Sequence, residues 1–414
     1  MREKKGSKGE KKNRKNLGCP DFLQCWACGK ENEFRPNEIF CPECGKPQLF
    51  STPPPERLTI KHSAQNPLEK FASFLPLKNV RPELSLGEGQ TPLLPLKSIE
   101  RSGRLLAKLE SSNPTLSFKD RGSAVVVQKI LELGWKAVGT VSTGNMASST
   151  AAYAARAGLS CLLLVKKGTS RSALVSSAIF NPLIVEVDGD YGQLFRESYQ
   201  LGQELGIYFA NSVDPLRIEG YKLTAFEICL QLGKAPDFVY LPVSAGGHFL
   251  GLFKGFKEMV LAGHTEKIPR LVGVQAAGCA PIATAFKKGQ ASVTKIKPAQ
   301  TIAHSISNPD PPAGSLVLET VRKNRGFLTT VSDDQMLQAQ KKLAVKEGIF
   351  VQPESAATLA AYDQLRQRFR GTSVLILTGQ GLKATHQPEI DDRQYLSLTL
   401  PDLKEALRSI YCDR

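Results

Sequence analysis

Four cysteines and one lysine are the residues whose types and spacing suggest chemistry. Cys25 and Cys28 form one pair, Cys41 and Cys44 a second, each with two residues between the sulfurs and a glycine directly after, and twelve residues separate the pairs. A two-residue gap lets both thiolates of a pair reach one ion, and the following glycine permits the tight turn around the sulfurs. Two such knuckles make the tetrahedral four-sulfur set that zinc favours. With four protein ligands the site is closed, so the metal is predicted to be structural rather than catalytic. Cys19 stands outside both pairs, and Cys161, Cys229 and Cys279 fall in apolar segments that read as core. Paired thiols of a reducing compartment also argue against disulfides.

The lysine is Lys119, in the run Asn113-Pro-Thr-Leu-Ser-Phe-Lys-Asp-Arg-Gly122 at the entry to a predicted helix, with Thr115 and Ser117 just before it. A lysine beside the positive end of a helix dipole is biased toward its neutral, nucleophilic form, which can attack a carbonyl. Three further loops share its character. Ser142-Thr-Gly-Asn145 and Ser244-Ala-Gly-Gly-His248 each follow a strand-like run and precede a helical one. Hydroxyls, glycines and backbone N–H groups at a helix start suit an anionic oxygen or a phosphate. Leu377-Thr-Gly-Gln-Gly-Leu-Lys383 closes the last strand-like run and contains Thr378.

The elements that must carry these loops alternate. Strand-like runs occur at 105–109, 137–141, 162–165, 184–187, 238–242, 271–275 and 374–377. Helical periodicity fills 121–133, 147–157, 191–205, 222–232, 250–261, 333–347 and 355–368. Alternation of this kind predicts βαβ units, a largely parallel sheet covered on both faces, and ligands at the carboxyl ends of the strands. A Pro-rich linker, 51–56, separates this α/β region from the cysteine pairs.

Composition bounds the rest. The chain has 414 residues, 41% apolar and 22% charged, which excludes collagen-like, coiled-coil and wholly disordered classes. No apolar run approaches the ~20 residues of a membrane span, and no signal peptide is evident, so a cytoplasmic protein is expected. The net charge of +15 is concentrated: Met1 to Asn16 hold eight Lys/Arg and two Glu. A tail of that composition is predicted to be disordered and solubilising, and it argues weakly for nucleic acid. His62, His264, His304 and His386 have no metal-ligand spacing.

Taken in order from about Leu86 to Lys383, the motifs resemble threonine synthases, pyridoxal-phosphate enzymes of the tryptophan-synthase-β-like fold. The resemblance rests on Leu86-Gly-Glu-Gly-Gln-Thr-Pro92, Ser117-Phe-Lys-Asp-Arg-Gly122, Ser142-Thr-Gly-Asn145, Asn211-Ser-Val-Asp-Pro-Leu-Arg-Ile-Glu-Gly220, Gly273-Val-Gln-Ala-Ala-Gly278, Glu347-Gly-Ile-Phe-Val-Gln-Pro-Glu-Ser-Ala-Ala357 and Leu377-Thr-Gly-Gln-Gly-Leu-Lys383. It implies a fold-type II, two-lobed parallel-sheet α/β enzyme over 51–414, with 126–215 as the smaller lobe. A basic tail (1–17) and a zinc-ribbon-like knuckle (18–50) precede it. By the same resemblance Lys119 carries the covalent link to pyridoxal 5′-phosphate. Asn145 hydrogen-bonds the cofactor's 3′ oxygen, the stretch Ser244, Ala245, Gly246, Gly247 and His248 wraps its phosphate, and Thr378 meets its pyridine nitrogen. The implied reaction takes O-phosphohomoserine and water to threonine and phosphate, with substrate contacts at Thr115, Ser117, Ser142, Asn211, Ser212 and Arg217, in a homodimer.

Some positions depart from the family pattern. Met146 stands where threonine is usual, His248 where asparagine is, Leu116 where glycine precedes the serine, and Asp214 and Tyr221 where Asn and Gln are common. Losing two hydrogen bonds of ~1–3 kcal/mol weakens substrate-phosphate capture unless a protonated His248 compensates. The alternatives are therefore a phosphoserine-dependent β-replacement, a threonine or serine ammonia-lyase, and, outside enzymes, a non-catalytic zinc-ribbon interaction protein.

Overall fold

The computed structural model describes residues 22–384 apart from Gly103, Asp190, Pro298 and Ala299. The basic tail, Cys19 and His386 lie outside the described residues. In chain order, three short strands come first: β1 (Phe22–Gln24), β2 (Glu31–Glu33) and β3 (Leu49–Phe50). Helix α1 (Pro67–Lys70), β4 (Leu93–Pro95) and β5 (Leu105–Lys108) follow. Next are α2 (Lys119–Glu132), β6 (Ala137–Val141), α3 (Asn145–Arg156), β7 (Ser160–Lys166), α4 (Arg171–Ala178), β8 (Leu183–Val187), α5 (Tyr191–Leu205) and β9 (Tyr208–Phe209). The chain continues through α6 (Pro215–Tyr221), α7 (Leu223–Leu232), β10 (Phe238–Pro242), α8 (Gly247–Leu261), β11 (Arg270–Ala276) and α9 (Pro281–Lys287). It ends with α10 (Gly314–Lys323), β12 (Phe327–Val331), α11 (Asp333–Glu347), α12 (Pro353–Leu365) and β13 (Ser373–Ile376).

The alternation predicts a largely parallel sheet; the α/β strands instead divide between two, both largely parallel. The larger runs β12-β11-β10-β13-β5-β4 and is parallel except at β4, which pairs antiparallel with β5 on the edge. The smaller runs β8-β7-β6-β9, all parallel. Every residue of β10 and β5 is buried, the signature of strands covered on both faces. One apolar core joins α2, α6, α7 and α8 to the small sheet, and a second lies between the large sheet and helices α11 and α12.

The cysteine module is antiparallel, in the order β2-β1-β3, and its Leu23, Phe34, Ile39, Leu49 and Phe50 belong to the first of these cores. Trp26 meets Phe253 of α8 edge to face at 5.9 Å, and Phe40 meets Tyr199 of α5 at 5.9 Å. The Pro-rich stretch beyond it is pinned as well. Ser51 N donates to Phe22 O, and the Thr52 hydroxyl donates to Glu258, a member of a buried square of alternating charges with Lys222, Glu219 and Lys254.

The short strands β4, β9 and β12 and the helices α4, α6, α9 and α10 escape the periodicity reading. β9 spans two residues and α6 seven, too few for a period to register.

Candidate functional site

Three of the four sequence-predicted loops leave the carboxyl ends of large- or small-sheet strands and enter the N-termini of long helices. Residues 142–144 join β6 to α3, residues 243–246 join β10 to α8, and 109–118 join β5 to α2. The fourth, from Leu377, follows β13 and binds the others together. Phe118 N donates to Thr378 O (3.1 Å), Gln380 N to Leu116 O (3.1 Å), and Lys383 Nζ to Thr115 O (2.8 Å). The Thr378 and Ser355 hydroxyls are 2.9 Å apart, which ties in the start of α12. Asn145 Nδ2 donates to Gln352 Oε1 (2.8 Å), which ties in α3. The Phe118 ring stacks on His248 at 3.9 Å, which ties in α8. Four helix N-termini thus converge, and their unpaired N–H groups favour an anion.

Lys119 is the first residue of α2 and is partly buried, with its Nζ 4.4 Å from the Phe118 ring centroid and 5.6 Å from that of Tyr221. No carboxylate among the described residues pairs with it. Burial, helped by the nearby Arg217 guanidinium, pushes its ammonium down to about 7. The amine is therefore substantially neutral at physiological pH, as a carbonyl nucleophile needs to be.

Its helix is anchored from below by buried charge. Arg121 grips both oxygens of Glu110 (2.6 and 2.8 Å) and both of Glu227 (2.7 and 2.7 Å), and Lys108 Nζ adds a bond to Glu227 (2.7 Å). Thr115 N and its hydroxyl both donate to Asp120 (2.6 and 2.5 Å), which staples the loop to the first turn. Burial raises the Asp120 carboxyl to about 6.

The loop at 244–248 is a backbone cradle. Gly246 has φ +101°, and a Cβ there would lie 2.9 Å from Ala313 Cβ and from Val317. A Cβ on Gly247 would sit 2.3 Å from Ser212 O, so neither position admits a side chain without displacing its neighbour. Among the buried polar atoms of the described residues that have no partner are Ser117 Oγ and both ring nitrogens of His248, on two of the converging loops. Leaving each of them unpaired costs ~1–3 kcal/mol, so a ligand that pairs them is the economical explanation. A phosphorylated aldehyde fits this set: a neutral lysine, a side-chain-free cradle, convergent helix N-termini, and an unpartnered hydroxyl and imidazole.

The remaining predicted residues are placed as follows. Ser142, Ser212 and Ser244 are partly buried on their loops. Asn211 is fully buried, its Oδ1 accepting from Val141 N (2.8 Å) and its Nδ2 donating to Ser198 Oγ (2.9 Å). Arg217 is also fully buried and donates to Ala210 O (2.7 Å), Ser123 Oγ (3.0 Å) and Thr150 Oγ1 (2.6 Å). Both side chains thus brace the site's framework.

Several departures from the family pattern acquire physical reasons. Burial first, then Lys119 and Arg121, push the His248 imidazole well below its ordinary range, which works against the compensating cation expected from sequence. Asp214 caps α6 by accepting from Leu216 N and Arg217 N, and it accepts a further bond from the Tyr208 hydroxyl. Leu116 adopts φ +65°, the left-handed conformation that glycine takes without strain.

Sequence reasoning passed over Gln352, Ser355, Phe118 and Asp120 as site residues. Gln352 and Ser355 lie inside a motif already noted, Glu347 to Ala357, and their position at the start of α12 was the available signal.

The cysteine cluster is equally well formed. All four sulfurs lie within 4.8 Å of one another, with Cys25 to Cys44 at 3.5 Å and Cys28 to Cys41 at 3.6 Å. A tetrahedral ion with metal–sulfur bonds of ~2.3 Å spaces its sulfurs by about 3.8 Å. The two knuckles share one backbone pattern: Gly29 N donates to Cys25 O and Gly45 N to Cys41 O, both at 2.8 Å. Among the described residues no helix is long and apolar enough to cross a membrane.

Comparison with known proteins agrees with this geometry. The sequence profile of the pyridoxal-phosphate dependent enzymes matches residues 84–379, which contain the first three loops and the start of the fourth, Thr378 included. A protein named threonine synthase from Methanocaldococcus jannaschii is 38% identical over 323 residues, 76% of this chain and 80% of that protein. Another of that name, from Halalkalibacterium halodurans, is 36% identical over 329 residues, 76% of this chain and 89% of that protein. Among solved structures, maize serine racemase superposes with a TM-score of 0.61 at 20% identity, over 78% of this chain and 92% of that one. Threonine deaminase isoform 2 from Solanum lycopersicum gives 0.60 at 20% identity, over 77% and 82%, and these two likenesses speak to the fold. With the lysine, cradle and convergent loops in place, the chain belongs to the pyridoxal-phosphate-dependent enzyme family, within its threonine synthase group.

Proposed function

We propose that this protein converts O-phosphohomoserine and water to threonine and phosphate. The observation that carries the reading is identity of 36–38% with proteins named threonine synthase, over 76% of this chain. Bound pyridoxal phosphate supplies an electron sink for carbanionic charge on the substrate.

The chain's own residues do the rest. Lys119 holds the cofactor's aldehyde carbon and, released as an amine, moves protons at the substrate's Cα and Cβ, for which an ammonium near pH 7 is well matched. Backbone N–H groups of 245–248 hold the cofactor phosphate, Asn145 its 3′ oxygen, and Thr378 its ring nitrogen. The Thr378 hydroxyl, already paired with Ser355, offers no negative charge and leaves that nitrogen largely unprotonated. Ser117 and the α3 N-terminus with Ser142 meet the substrate's anionic groups. Asn211, Ser212 and Arg217 hold the floor on which those loops rest. Met146 is buried and gives the leaving phosphate no hydroxyl. The four cysteines hold a structural zinc, and the enzyme works as a homodimer.

Incubation of the cofactor-loaded protein with O-phosphohomoserine tests the reading directly. Threonine and phosphate in equal amounts are expected. Formation of 2-oxobutyrate instead would assign an ammonia-lyase, and turnover of phosphoserine alone a β-replacement enzyme.

A further inference from the structure

The cysteine module makes one contact with the catalytic body that its metal site does not require. Asn37 lies between the two cysteine pairs, 5% exposed and at φ +65°. Its Oδ1 accepts from Phe209 N (2.8 Å) and its Nδ2 donates to Ile207 O (3.0 Å). β9 is the edge strand of the small sheet and pairs with β6 on one side alone, Tyr208 with Val138 and Phe209 with Gly139. The carboxamide presents to its other side the acceptor and donor that a neighbouring strand would supply.

What β9 leads into gives this contact its interest. Ala210 N donates to Gly139 O, and Asn211 Oδ1 accepts from Val141 N, the residue immediately before the Ser142 loop. Ser212 O lies where a Cβ on Gly247 would be 2.3 Å away, directly against the phosphate cradle. Two ligand loops therefore rest on the segment whose outer edge Asn37 holds. The body accommodates the contact: at Gly202 of α5 a Cβ would fall 2.7 Å from Asn37 Nδ2 and 2.4 Å from Ile207 O. Alanine is worth about 1 kcal/mol more than glycine inside a helix, so local propensity does not explain the glycine.

We propose that the cysteine module clamps the candidate site, with Asn37 as a positioning residue that fixes β9 and, through it, the cradle at 245–248. The proposal rests on the cofactor-loop assignment and is independent of which phosphorylated amino acid is turned over.

Three variants of the full chain test it. Asn37→Gly keeps the left-handed backbone and removes both bonds. Asn37→Asp keeps the acceptor for Phe209 N. Gly202→Ala pushes on the same contact from the α5 side, where its Cβ would meet Ile207 O, Asn37 Nδ2 and Phe209 Cδ2. Two readouts are used: hydrogen–deuterium exchange over 207–212, and pyridoxal phosphate affinity from visible absorbance. N37G and G202A should raise exchange at Phe209 and Ala210 about tenfold, with β10 and β11 unchanged, and weaken cofactor affinity about three- to tenfold. N37D should fall between wild type and N37G on both. Wild-type exchange in N37G and G202A would overturn the clamp. Raised exchange with unaltered cofactor affinity would reduce Asn37 to a structural tether and overturn its positioning role. Should N37G not fold, N37D, which loses the donor to Ile207 O, carries the same two outcomes.

Discussion

Phe118 and His248 stack face to face, their ring centroids 3.9 Å apart and their planes within 16°. This contact joins the residue before Lys119 to the second residue of α8, and so sets the lysine's helix against the phosphate cradle. It also explains how a histidine sits in the cradle without a counterion. The ring is buried against aromatic faces, and that burial, with Lys119 and Arg121 nearby, disfavours its charged form.

Lys119→Ala should leave the protein colourless after incubation with pyridoxal phosphate and lower turnover on the order of a thousandfold or more. In the cofactor-free wild type, combination with pyridoxal phosphate should accelerate as pH rises through about 7. The direction follows from the depressed ammonium: the unfolded chain keeps its proton to ~10.4. Between these values the native state binds fewer protons than the unfolded one, and Lys119's contribution to stability grows with pH. Stopped-flow absorbance and urea titrations across pH 6–9 read both.

Glu227→Ala should destabilise the fold by about 3–5 kcal/mol, because it strips Arg121 and Lys108 of their shared buried carboxylate. Urea denaturation measures the loss. Arg121 and Lys108 hold the Glu227 carboxyl down to about 2, despite its burial. Its stabilising contribution is therefore complete above the ordinary glutamate range and is lost as pH falls toward 2, a window in which the variant should show a flatter acid-stability curve than wild type.

Elemental analysis should find one zinc per chain. Cys44→Ser should abolish it and lower Tm by several degrees, since the knuckle's apolar residues are part of the main core. Full zinc occupancy in the variant would refute the four-sulfur site.

Leu116→Gly should stabilise the protein by about 0.5–1 kcal/mol. A left-handed leucine costs ~1–2 kcal/mol, and glycine's greater freedom in the unfolded chain returns part of the gain. Chemical denaturation decides the sign.

Much of this molecule was legible in its sequence because the signals were local. The cysteine pairs encode their own turns, and Cys25, Cys28, Cys41 and Cys44 come together as their spacing implies. The seven strand-like runs and seven helical runs each overlap an element of the right type, because buried parallel strands and long helices carry strong periodicity. Lys119 at the head of α2 and the glycines of the cradle were visible for the same reason.

What tertiary structure alone decided concerns pairings between residues far apart in the chain. Arg217 and Asn211 carry the chemistry of ligand-binding residues, and their partners within the protein, Ser123, Thr150, Val141 and Ser198, lie 13 to 94 positions away. The packing of His248 depends on a ring 130 residues earlier, and the edge of β9 on an asparagine more than 170 residues upstream. A side chain's type records what bonds it can make. Which of them it makes is settled only when folding removes water and leaves particular neighbours in reach.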